Sequence, residues 1–206
     1  MPLLKKRVEF AALFGKIKMP IGPLESEILR LLAKNRNPES HIGGATVLNQ
    51  EESTPRASED IDFFHNTIEA LERSYELDVQ VLERAGYKLT TQKLGAHFRR
   101  AFIKKENEQT KLEWVHDTAF RFFPVEPDPE LGYRLNFWDA ATNKVLAGAG
   151  RAEPRDYIDM IYLHEHRLSL GALIWAAAGK DDGLSPSFII EELSRVQRDR
   201  YKQFQK

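Results

Sequence analysis

Apolar positions set out the elements of this chain. In the first segment Leu3, Leu4, Phe10, Phe14 and Ile17 recur three to four residues apart and predict a short amphipathic helix within residues 1–18. Pro20-Ile21-Gly22-Pro23 breaks that pattern, and Ile28, Leu31 and Leu32 then mark one side of a second helix over about 25–34. Asp60-Ile61-Asp62-Phe63-Phe64 alternates polar and apolar residues, which predicts a strand with one apolar face and one carboxylate face. The clearest helix covers 66–85, with Asn66 as N-cap, Glu69 three residues on and Gly86 at its end. Strands over 96–104 and 110–117 flank the polar turn Glu106-Asn107-Glu108-Gln109 and read as a hairpin.

Three prolines in 124–129 mark a boundary. Helical patterns follow over about 139–149, 154–166, 169–178 and 185–203, with Pro154 and Pro186 where first helical turns begin. Strands cluster in the middle and helices at both ends. That order predicts an α+β protein with a small mixed sheet, not an alternating βαβ array. The expected organisation is an N-terminal helical segment over 1–38, a core over 39–125 and a C-terminal helical segment over 126–206 that completes a cleft.

Composition narrows the chemistry. Of 206 residues 42% are hydrophobic and none is cysteine, which excludes a disulfide scaffold, a thiolate zinc site and a cysteine nucleophile. The net charge of −1 confines any nucleic-acid contact to a local patch. No apolar run approaches the roughly 20 residues that span a bilayer. Lys5-Lys6-Arg7 and the apolar residues after it lack a cleavage pattern, so a cytoplasmic location is expected.

The informative residues are acidic. Asp60 and Asp62 are two apart on one strand, so both side chains leave the same face. Two adjacent carboxylates repel unless a cation lies between them, and Mg²⁺, or Mn²⁺ in its place, suits such an oxygen-only pair. In Lys111-Leu112-Glu113-Trp114-Val115, Leu112 and Trp114 face the core, which puts Glu113 on the opposite side with Lys111 and Val115. If the two strands are neighbours, Glu113 completes a three-carboxylate cluster. Such a cluster is able to hold two metal ions for in-line phosphoryl or nucleotidyl displacement. Upstream, the backbone N–H groups of Gly43-Gly44-Ala45, opening a short helix, would hold phosphate oxygens.

Gly43-Gly44-Ala45-Thr46 followed by Arg56-Ala57-Ser58-Glu59-Asp60-Ile61-Asp62-Phe63-Phe64 resembles the glycine turn and R-x-S-x-D-[IL]-D-[LF]-F element of the polymerase-β-like nucleotidyltransferases. The branch it resembles is the abortive-infection AbiEii/AbiGii type. A later stretch, Asp139-Ala140-Ala141-Thr142-Asn143-Lys144-Val145-Leu146-Ala147 with Arg151 and Arg155-Asp156-Tyr157-Ile158-Asp159, resembles that branch's helical signature. The resemblance spans about residues 40 to 166. It implies a nucleotidyltransferase core flanked by helices and magnesium-dependent transfer of a nucleoside monophosphate from an NTP. It further implies an RNA or tRNA acceptor and action as a toxin of a toxin–antitoxin pair, with an antitoxin partner.

On the same resemblance Asp60, Asp62 and Glu113 are metal ligands and catalytic, with Asp156 as a further catalytic acid. Gly43, Gly44, Arg56, Ser58 and Lys144 contact the nucleotide, and Arg155, Asp156 and Asp159 order the helical side of the cleft. This chain departs from the superfamily pattern in a Gly where many members carry Ser, in Glu as the third acid, and in a short C-terminal part. Transfer to a small molecule and a non-catalytic binding module that retains the fold are the alternatives.

Plainer readings exist for several of these residues. Arg56 is able to pair with Glu59 or Asp60, and Ser58 to cap a turn. Asp156 suits the positive end of a helix dipole, and Asp159 lies one turn from Arg155 as an i,i+4 ion pair. Lys144 reads as a surface lysine without the family pattern. His164 and His166 point about 200° apart on a helix and do not share a metal. The basic residues Arg99, Arg100, Lys104 and Lys105 fit an amphipathic strand, those from Arg195 to Lys206 a solvated helix face, and Trp114, Trp138 and Trp175 a core.

Overall fold

The alternation around Asp60 folds as a strand. In β2 (Asp60–His65) Ile61, Phe63 and His65 are buried, while Asp60, Asp62 and Phe64 lie on the other face and are partly exposed. The computed structural model describes residues 21–50, 60–117 and 120–204, and side chains up to residue 195. The amphipathic segment 1–18, Arg56 and Ser58, and the side chains of the basic residues beyond Arg195, lie outside that description.

Before β2 come α1 (Pro23–Leu32), one 3₁₀ turn, β1 (Ser40–Ile42) and the one-turn helix α2 (Gly44–Leu48). After it come α3 (Ile68–Arg84), β3 (Lys88–Gly95), β4 (Phe98–Lys105), β5 (Glu108–His116), β6 (Glu126–Asp128) and β7 (Gly132–Arg134). Four helices finish the described chain: α4 (Phe137–Arg151), α5 (Pro154–His166), α6 (Leu170–Ala178) and α7 (Pro186–Phe204).

The strands form one mixed sheet in the order β3-β4-β5-β2-β1-β7-β6. β2 runs parallel to β5, and β1 parallel to β7; the other pairs are antiparallel. The sheet therefore takes two short strands from beyond residue 125. This is the expected α+β class with a mixed sheet and flanking helices.

Helices α1 and α3 cover the apolar face. Phe63 and Trp114 stack there with ring centroids 5.6 Å apart, and Tyr75 of α3 meets Trp114 edge-on at 5.0 Å. A charged network is sealed between these layers. Arg36 Nη2 donates to both Asp78 oxygens at 2.6 Å, and neither side chain is exposed. Asn35 Nδ2 and Trp114 Nε1 donate to Asp78 at 2.8 and 2.7 Å, and the Arg36 guanidinium lies 4.4 Å from the Phe63 ring centre. A buried charge is tolerable when matched and hydrogen-bonded in this way.

On the other face α4 is the hub, touching α2, α5, α6 and α7. Its Ala140, Ala141 and Val145 pack with Met160, Leu173, Ala177 and Ile189 of the neighbouring helices. Asn136 caps α4, its side chain accepting from Trp138 N at 2.9 Å. The helix stops at Ala152, whose φ of 58° is left-handed, and α5 begins two residues later at Pro154.

Some sequence expectations need correction. The cap of α3 is Thr67, whose hydroxyl accepts from Ala70 N at 3.0 Å, not Asn66. The hairpin turn is shorter than read, with only Glu106 and Asn107 between β4 and β5; Glu106 takes the positive φ of 53° that a two-residue turn demands. Trp114 is fully buried, but Trp138 and Trp175 are 38% and 71% exposed and are not core. Among the described residues no helix is long and apolar enough to cross a membrane.

Candidate active site

The parallel pairing of β2 with β5 places Asp60 opposite Lys111 and Asp62 opposite Glu113. Because side chains alternate, Leu112 and Trp114 enter the core while Lys111 and Glu113 join Asp60 and Asp62 on the other face. The strand adjacency expected for Glu113 is therefore present. Across from this face stand α4 and α5. Between them is a cleft of about 410 Å³, lined by Gly44, Asp60, Asp62, Arg100, Lys111, Glu113, Asn143, Lys144, Arg151 and Arg155 among others.

The glycine turn closes one end. Gly43 N–H donates to the Asp62 carbonyl at 3.2 Å, so this N–H pins the turn to β2. Gly44 has φ 63°, and a Cβ there would overlap the Asp62 carboxylate. Only glycine lets the helix start come this close to the acid. The amides that follow, of Gly44 and Ala45, border the cleft.

The carboxylates are not equivalent. Glu113 accepts from Arg100 at 2.8 Å and meets Lys111 Nζ at 2.9 Å. Asp60 meets Lys111 Nζ at 3.0 Å and Arg155 Nη1, from α5, at 3.1 Å. Asp62 lies deepest. Burial, with the charges of Glu113 and Asp60 beside it, pushes its carboxyl up to about 6. Among the described residues no three His, Asp or Glu side chains form a ready-made metal cage. The acidic face is instead met by cations. Its donors nonetheless suit a hard dication: they are carboxylate oxygens only, brought side by side by the pairing of β2 with β5.

The helical wall is built on one buried acid. Lys144 of α4 is 5% exposed and reaches Asp156 at 3.0 Å and Asp159 at 3.1 Å, both in α5. Arg151 adds two bonds to Asp156, at 2.8 and 2.9 Å. Burial works against the Asp156 charge, yet the hydrogen bond from Arg151 and the charge of Lys144 hold its carboxyl below the usual value. The left-handed Ala152 makes this possible by folding α5 back beside the end of α4. Lys144 is thus no surface lysine. Asp156, fully buried behind it, does not itself line the cleft.

Lys111, Arg100 and Arg151 escaped the sequence reading as site residues. The first shares the Glu113 face by its i−2 position, and Arg100 is the cross-hairpin partner of Glu113. Arg99 and Lys105 instead pair with Glu72 and Glu27, as expected for an amphipathic strand. His166 stacks on Tyr162 at 4.6 Å, and His164 Nδ1 accepts from Leu170 N at 3.2 Å, so each has a local partner.

No protein-family profile matches the chain, and no curated protein matches it in sequence. Solved structures do match. One is JHP933 from Helicobacter pylori, 18% identical, with a TM-score of 0.52 over 87% of this chain and 93% of that one. Another is MenT4, a nucleotidyltransferase toxin from Mycobacterium tuberculosis, 15% identical, with a TM-score of 0.56 over 76% of this chain and 63% of that one. The fold is that of a nucleotidyltransferase. It agrees with the class expected from the glycine turn and the Asp60–Asp62 strand.

Proposed function

We propose that the chain is a divalent-metal-dependent nucleotidyltransferase that moves an NMP from an NTP to an acceptor hydroxyl. The observation that carries this reading is the facing of Asp60, Asp62 and Glu113 towards Lys144, Arg151 and Arg155 across one cleft. An acidic floor and a basic wall are what a metal-bridged triphosphate needs. Asp60, Asp62 and Glu113 would hold Mg²⁺ or Mn²⁺, which supplies neutralisation of the triphosphate and acidifies the acceptor hydroxyl.

The rest falls to the chain itself. Gly44 and Ala45 offer backbone N–H groups to phosphate oxygens at the mouth of α2. Lys144 and Arg151 stabilise the charge that gathers on the leaving pyrophosphate as the acceptor hydroxyl gives up its proton to water, its oxygen bonds to the α-phosphorus and the bridging P–O bond breaks. Asp156 is a positioning residue: it fixes the direction of Lys144 and Arg151 and touches no substrate. Arg56 and Ser58 remain assigned to the nucleotide by the sequence resemblance.

The acceptor we propose is RNA, with the end of tRNA foremost, and the biological role is that of a toxin held in check by an antitoxin. The nucleotidyltransferase fold shared with a toxin supports this choice. Incubation with each labelled NTP, Mg²⁺ and total RNA tests it, with Asp62→Asn as control. Label in RNA from the parent alone is the expected result. Label confined to a small-molecule pool would move the acceptor to a small hydroxylated compound, and no label with any acceptor would favour a binding module.

A further inference from the structure

Lys111 stands where a bridging cation belongs. Its Nζ lies 3.0 Å from Asp60 Oδ2 and 2.9 Å from Glu113 Oε1, joining the two outer acids of the carboxylate face. Arg155 reaches the same Asp60 oxygen and Arg100 the same Glu113 oxygen. Three cations thus contact two acids, while among the described residues none of them is in ion-pair contact with Asp62.

We infer that Lys111 is a built-in counter-ion for the metal seat, occupying it in the free enzyme and yielding to the divalent ion only when a triphosphate takes over the lysine. This rests on the nucleotidyltransferase reading above. The physical reason is charge balance. A bare dication must displace an ammonium from two carboxylates and so weaken the ion pairs that three cations make with Asp60 and Glu113. A metal–triphosphate complex brings anionic oxygens to the same rim, all of which borders one cleft, so the displaced Lys111 gains a new partner. Metal and triphosphate therefore bind with positive coupling, and coupling of this sort is reciprocal. Lys111 suits the part better than arginine would, since its charge is a point on a flexible stem and not a fixed fork.

The test uses two probes on the parent, Lys111→Met, Lys111→Arg and Asp62→Asn. Mn²⁺ alone is titrated by the electron paramagnetic resonance of the free ion. Labelled inorganic tripolyphosphate is measured by equilibrium dialysis in excess Mn²⁺. Lys111→Met is expected to bind Mn²⁺ alone roughly tenfold more tightly, the scale of one half-buried competing charge, and to bind tripolyphosphate several-fold more weakly. Lys111→Arg, which keeps the charge, stays within about twofold of the parent for Mn²⁺ alone. Weaker binding of both probes by Lys111→Met would overturn the inference, since that pattern belongs to a lysine that merely supports the fold. Unchanged Mn²⁺ affinity would overturn it as well. Absence of Mn²⁺ binding in the parent and in every variant would instead remove the metal-dependent reading itself, and this inference with it.

Discussion

Asp62 and Glu113 stand opposite each other in the parallel pairing of β2 with β5, and a one-residue slip would send one of them to the Trp114 face. Burial, and next the charge of Glu113 beside it, lift the Asp62 carboxyl from its ordinary 3.8 to about 6. Between these values the folded chain binds more protons than the unfolded one. Stability from this group therefore falls as pH rises through that window, by on the order of 2–3 kcal/mol once both states are ionised. Asp62→Asn removes the penalty. The variant should be more stable than the parent in urea at pH 7.5 and indistinguishable from it near pH 3.5. An equal difference at both pH values would show that Asp62 carries no such strain.

Lys144 and Arg151 hold the same acid but differ in exposure, so their removal should not cost the same. Lys144→Met removes the buried cation that Asp156 and Asp159 share, which costs about 3 kcal/mol. The Arg151 side chain is 50% exposed, and its charge is screened by water. Arg151→Met should cost about 1 kcal/mol or less. Urea midpoints at constant slope measure both. Equal losses would mean that exposure does not set what each cation is worth to Asp156.

The legible parts of this fold are those where one residue type repeats at one period. The strand around Asp60, the hairpin strand bearing Glu113, and the helices begun by Pro154 and Pro186 all carry that signal. β1 does not, because Ser40, His41 and Ile42 are all buried and offer no alternation. β3 is an edge strand of Lys, Leu, Thr and Gln, mostly exposed and bulged between Thr91 and Lys93, so its pattern reads as loop. β6 and β7 are three residues each, too short for any period. In the site, the acids were legible because carboxylates two apart on a strand are conspicuous. The cations were not. Lys111 and Arg100 each look like one side of an amphipathic strand until the register puts them beside Glu113. The depth of Lys144 follows from the turn at Ala152, which nothing in the residue pattern announces.

Asp78 gathers Arg36, Asn35 and Trp114 beneath the sheet. Asp78→Asn leaves the Arg36 charge buried without its counter-charge, and two of its nitrogens, Nε and Nη1, already lack hydrogen-bond partners among the described residues. The expected loss is about 3–5 kcal/mol, enough to remove much of the stability of an ordinary domain. Trp114→Phe keeps the stacked ring but deletes one bond to a charged acceptor, and should cost about 1–3 kcal/mol. Both are read from thermal and urea unfolding. A loss from Trp114→Phe that equals that of Asp78→Asn would place the energy in packing and not in the charge network.

Gly44 has a second reason to be glycine besides its φ of 63°. Its missing Cβ is the space into which the Asp62 carboxylate leans. Gly132 offers a control that does not line the cleft: its φ is 78°, and a Cβ there would meet the Ala33 carbonyl. Ala at either position costs about 1–2 kcal/mol for the left-handed backbone, plus the displacement of the neighbour. The consequences for the cleft should diverge. Gly44→Ala pushes the Asp62 side chain off its seat and should weaken Mn²⁺ binding at least tenfold, whereas Gly132→Ala, whose clash lies against Ala33 and Arg36, should leave that affinity within about twofold of the parent. Matched losses of Mn²⁺ affinity in the two variants, at matched losses of stability, would mean that Gly44 serves the backbone alone.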